Sequence, residues 1–143
     1  MPGITRASLL YSLAEWGKYV DKFKHLAPDR QAGFLHEQGF AALQDLLGHV
    51  TGWWEEGQRV VKAVQADPAF IYIEPDTDAF NAELVAKFHA MTEAGALAHF
   101  EITRMAMAGL VQELPADILE HPLVRDWLFA DVIEHLEEHR ISG

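Results

Sequence analysis

The chain has 143 residues, half of them apolar and 23% charged, with a net charge of -11 when histidines are neutral. That length fits one domain, 1–143, with a real hydrophobic core, and the negative balance works against binding to phosphate backbones. No cysteine is present, which excludes disulfides, thiolate ligands and a protein thiol nucleophile; any thiol chemistry needs a thiol arriving as a small molecule.

The N-terminal stretch MPGITRASLL lacks the basic and long apolar segments of a signal peptide. No apolar run reaches the ~18 residues of a membrane span. The expectation is a cytoplasmic protein.

Four long helical segments are predicted in chain order. The first runs from about Ile4 to His25, where Leu9, Leu13, Trp16, Val20 and Phe23 recur at spacings of three and four. LAPDRQAG then reads as a break, rich in loop formers. The second runs from about Phe40 to Gln65, with Leu43, Leu46, Val50, Trp53, Val60 and Val64 on one broad face. ADPAFIYIEPDTD ends it. The β-like run Phe70 to Ile73 has no pairing partner, so it reads as an ordered loop. The third segment starts near Asp78 as N-cap and extends to about Leu114, with Gly95 and Gly109 as sites of a bend or a close helix contact. Asp117 to Glu120 form a separate short turn. The fourth starts at Pro122, a good first-turn residue, and ends near Arg140. Four such helices separated by polar or Pro-containing breaks predict an all-α four-helix bundle. The first and third carry more apolar residues than one narrow stripe requires, which suggests a homodimer.

ADVIEHLEEHR places His135 and His139 four residues apart. At 100° per residue both fall within the apolar arc of Val124, Trp127, Leu128, Phe129, Val132 and Leu136, so both imidazoles point inward. Buried imidazoles need hydrogen-bond partners or a metal. His49, in LLGHVTGWWEE, lies at the edge of the second helix's apolar arc. Gly52 beside it either leaves space for a ligand or lets helices approach closely. Trp53 and Trp54 read as packing residues rather than a substrate cage. His49, His135 and His139 together suit a borderline divalent cation such as zinc, nickel or iron, with positions left open for water or substrate. Leu136 follows His135, so the HExxH protease pattern is absent. Unperturbed imidazoles release such an ion as pH falls through about 6.5. Asp45, Glu56 and Asp131 are candidates to orient a histidine or accept a proton, each with a solvated or capping role as the alternative. His25, His36, His89, His99 and His121 lack a partner at helical spacing and are assigned to structure or surface.

These stretches resemble the DinB-like superfamily of metal-dependent four-helix bundles, with the nearest likeness to its ClbS/DfsB-type group. LLGHVTGWWEE is similar to the second-helix motif, DAFNAELVAKF to the Asn-containing opening of the third helix, and VRDWLFADVIEHLEEH to the last helix. Leu136 stands where the family commonly has an aromatic. The resemblance implies a DinB/YfiT-like bundle, metal ligands at His49, His135 and His139, a divalent metal, often a dimer, and chemistry on small electrophiles or thiol adducts. The leading expectation is a metal-dependent hydrolase or thiol S-transferase using an exogenous low-molecular-weight thiol. Its alternatives are a non-catalytic protein that sequesters a small molecule, with structural metal, and a metal-free bundle acting through dimer contacts.

Overall fold

The structure, a computed structural model, describes residues 4–141. Those residues form helices and connecting turns with no strand among them. The helices are α1 Arg6–Trp16, α2 Tyr19–Lys24, α3 Pro28–Gln38, α4 Leu43–Ala66, α5 Thr77–His89, α6 Glu93–Glu113, α7 Ala116–Leu119 and α8 Pro122–Leu128; a π-helical segment, Phe129–Glu134, leads into α9, His135–Glu138.

The long α4 is the centre of the packing. It lies against α5 and α6 on one side and against α8 and the π-helical segment on the other, while α1 closes on α6 and the same segment. The core between them is aromatic. Trp16 meets Trp54 edge-on at 5.3 Å, and Trp54 stacks on Phe100 at 5.4 Å. All three rings are buried. Such pairs add about 0.5–1.5 kcal/mol each beyond the area they bury.

Helix starts follow local chemistry. Thr5 and Ser8 close a capping box on α1, and Thr92 caps α6 through Gly95 N. His121 accepts from Leu123 N ahead of Pro122. The third predicted helix begins earlier than expected, because Asp76 rather than Asp78 caps α5.

The expected helices are not all continuous. A turn at Gly17–Lys18 separates α1 from α2. The interruption resets the helical phase, so Tyr19 rather than Val20 is buried. The third is broken between His89 and Glu93. Neither Gly95 nor Gly109 marks that bend: the first sits in the opening turn of α6, and the second faces open space. LAPDRQAG is not a plain break. It opens α3, with Pro28 at the start and Gly39 ending it at φ 84°, a left-handed conformation that favours glycine. Residues Phe70 to Ile73 are loop, as expected; Ile71 and Ile73 are exposed, while Phe70 packs on the core.

Candidate metal centre

His49 projects from the second turn of α4, His135 from the start of α9, and His139 from the cap that ends it. The three rings converge. His49 lies 5.2 Å from His135 and 5.4 Å from His139, and the last two are 5.6 Å apart, centroid to centroid. One nitrogen of each lies within 4.8 Å of the others. Nitrogens around a tetrahedral zinc sit about 3.3 Å apart at ~2.0–2.1 Å bond lengths, so small side-chain rotations close the set. Phe40, from the connection between α3 and α4, covers the cluster at 5.7 Å from His49 and 6.3 Å from His139.

The nitrogens are prepared as ligands. His139 is 7% exposed. Its Nδ1 donates to Gln38 Oε1 at 2.7 Å, which leaves the lone pair on Nε2, and that buried nitrogen has no partner. His135 Nδ1 is likewise buried without a partner. Burial pushes the pKa of His135 down to about 3, helped by the charges His49 and His139 would carry. Burial and then His49 lower that of His139 to about 4. His49 is lowered by burial, against an opposing hydrogen bond with Asn81. All three are therefore neutral at pH 7. Two orphaned ring nitrogens in a neutral three-imidazole set fit a borderline divalent cation.

The π-helical segment sets the last two rings. π turns are rare and often mark functional sites. Here two buried tryptophans fix the segment: Trp54 Nε1 donates to Asp131 O at 2.7 Å, and Trp16 Nε1 to Val132 O at 2.9 Å. The Tyr19 hydroxyl donates to His139 O. Each π residue turns less than 100°, so Asp126 and Ala130, which an unbroken α-helix would place opposite the histidines, line the same cavity as His135.

That cavity, of about 480 Å³, opens beside His49 and His135 and is walled by Trp53, Tyr72, Asn81 and Trp127. The tryptophan pair therefore divides. Trp54 is core, whereas Trp53 is a cavity wall, its Nε1 donating to Asn81 Oδ1 at 2.7 Å.

The three candidate acids also separate. Asp45, 2% exposed, pairs with His89 Nδ1 at 3.0 Å, so His89 is a partner for a buried carboxylate and Asp45 is committed there. Glu56 accepts from Arg59 and from the Tyr72 hydroxyl at 3.1 Å, and reaches the cavity only through that tyrosine. Asp131 lines the cavity with a carboxyl whose Oδ2 has no partner, and it meets His135, one turn on, through its backbone rather than through that oxygen. Burial raises its pKa well above the usual carboxylate range, and the charge of Glu56 raises it further.

Gly52 does not leave space for a ligand. A Cβ there would meet the Leu84 side chain at 2.1 Å, so the glycine lets α5 approach α4. Gly57 is the glycine that matters to the site: a Cβ would sit 2.1 Å from Asp131 Oδ2. Among the other histidines, His99 bonds Glu55, His25 its own helix and His121 the Pro68 carbonyl. Gln38 lies at the end of α3, in a stretch whose loop formers hide the helix in the sequence; the glycine terminator at Gly39 is the local signal for it.

No helix of the described chain is long and apolar enough to cross a membrane. Compared with protein-family models, with curated proteins and with solved structures, the chain matches none.

Proposed function

We propose that this chain is a divalent-metal-dependent enzyme of the DinB-like four-helix-bundle type, acting on a small electrophilic molecule held beside His49 and His135. The observation that carries the reading is the convergence of three neutral imidazoles, two with orphaned buried nitrogens, at the wall of a ligand-sized cavity. His49, His135 and His139 would hold zinc, nickel or iron. When bound, the ion supplies Lewis acidity that lowers the pKa of a coordinated nucleophile. The protein supplies the rest. Gln38 fixes the His139 tautomer, Phe40 keeps bulk water from the imidazoles, and Asp131, held protonated by burial, can exchange a proton with a molecule in the cavity. The nucleophile is water or an exogenous low-molecular-weight thiol, since the chain has no cysteine.

The exposed Tyr11 on α1 and Ile102 and Met105 on α6, at 68%, 69% and 62%, support a homodimer through these helices. A second reading is favoured by the cluster's position: it joins α4 to the last helix, so an ion there would also tie them together. In that case the protein sequesters its ligand without turning it over. Tag-free, metal-loaded protein assayed against activated esters and alkyl electrophiles, with and without added thiol, separates the two. Metal-dependent turnover that is lost in His49→Ala supports the enzyme; ligand binding without turnover supports sequestration.

A further inference from the structure

The wall of the cavity beside the histidines has a one-sided chemistry. It carries three aromatic rings, Trp53, Tyr72 and Trp127, and four carboxyl side chains, Glu74, Asp126, Asp131 and Glu138, with no lysine or arginine. The rings are held in place. Trp53 packs edge-on to Phe80 at 4.6 Å and is bonded to Asn81. Trp127 sits between Trp53 at 6.0 Å and Tyr72 at 5.0 Å. Glu56 anchors the Tyr72 hydroxyl and also occupies Arg59, the cation of that neighbourhood.

Asp131 adds an independent signal. It is 2% exposed, lines the cavity, and its Oδ2 has no hydrogen-bond partner. A buried carboxyl oxygen left without a partner costs free energy unless a ligand supplies one. Tyr72 senses the same surroundings: burial and the negative charges of Glu56 and Glu74 push its hydroxyl up to about 12, against an opposing pull from Arg59.

We propose that the cavity binds a small aromatic molecule carrying a positive charge, an ammonium or quaternary ammonium group. Its ring lies against Trp127 and Trp53, and its charge faces the rim carboxylates Glu74, Asp126 and Glu138. Aromatic faces attract cations, and a cleft lined by one sign of charge concentrates the opposite sign. An anionic molecule finds no counter-charge on this wall. The assignment rests on the reading of this cavity as the substrate site. The carboxyl side chains also offset the charge of an ion on three neutral imidazoles, so the test is made with and without zinc.

Three probes that are poor metal ligands decide it: benzyltrimethylammonium, neutral benzyl alcohol and anionic benzenesulfonate. Their binding is followed at low salt by tryptophan fluorescence and calorimetry. The cation is expected to bind about tenfold more tightly than the alcohol, with no detectable binding of the sulfonate, in zinc-free and zinc-loaded protein alike. Trp127→Leu should weaken binding of the cation. The Asp126→Asn, Glu138→Gln pair replaces exposed groups with isosteres, so it keeps the fold, and it should cut the preference for cation over alcohol several-fold. Equal or tighter binding of the alcohol or sulfonate, or a cation preference unchanged in the carboxamide pair, overturns the proposal. Zinc content measured on the same samples tests the metal reading separately: a protein that ranks the probes as expected yet takes up no zinc keeps this inference and loses that one.

Discussion

His139 Nδ1 donates to Gln38 Oε1 across 2.7 Å, joining the end of the last helix to α3. The bond decides which nitrogen carries the proton and which is free for an ion. Partners of this kind typically contribute 10–100-fold to metal affinity. Gln38→Leu should therefore weaken zinc binding by about that factor, measured by competition with a chromophoric chelator, while far-ultraviolet circular dichroism stays unchanged. Unaltered affinity would mean that packing alone sets the ring.

The buried imidazoles give stability a pH dependence of definite sign. An unfolded histidine titrates near ~6.5, whereas burial holds His135 at about 3 and His139 at about 4. Between these values the unfolded chain takes up protons that the folded chain refuses. Metal-free stability is thus fully present above about pH 6.5 and falls as the pH drops toward 4. Melting temperatures from pH 7.5 to 5 should decline, less steeply in His135→Leu than in the parent. Proton competition at His135 and His139 also moves below the unperturbed imidazole range, so the loss of zinc affinity on acidification should set in at lower pH than ~6.5.

Asp131 works in the opposite direction. Its raised pKa means that the folded chain keeps a proton the unfolded chain releases above ~3.9. This contribution is fully present at low pH and is lost as the pH rises toward the folded value. Asp131→Asn removes the cost and should raise stability at pH 7.5 by about 1.4 kcal/mol for each unit of elevation, with a smaller gain near pH 4.5. Chemical denaturation at the two pH values measures the difference; a gain of equal size at both would contradict the assignment. Gly57→Ala should destabilise, since its Cβ falls on the carboxyl oxygen.

His89→Ala should cost about 1–3 kcal/mol, because it leaves the buried Asp45 carboxylate without its partner. Metal content should not change. Denaturant midpoints together with elemental analysis read both effects from one sample.

The apolar periodicity of α4 and of the last segment was enough to turn His49, His135 and His139 inward. Other features depended on forces that a 100° wheel does not carry. The π-helical turn comes from tertiary packing, with Trp16 and Trp54 donating to carbonyls that are distant in sequence. It moves Asp126 and Ala130 to the cavity side. Gln38 lies on α3, none of whose residues is fully buried, so its apolar pattern is weak. Trp53 and Trp54 are adjacent and chemically alike. Only the position of α5 and Asn81 sends one to the cavity and the other to the core. Asp45 and His89 pair across 44 residues, a separation that local spacing cannot report.

The central claim is that His49, His135 and His139 bind one divalent ion. Elemental analysis of tag-free protein equilibrated with limiting zinc and dialysed, for the parent, each single Ala variant and the exposed control His36→Ala, tests it most directly. About one ion per chain is expected in the parent and in His36→Ala, accompanied by a rise in melting temperature, with most of both lost in His49→Ala, His135→Ala and His139→Ala. Equal zinc content and equal stabilisation across all five proteins would contradict it and leave the cluster as three packed histidines.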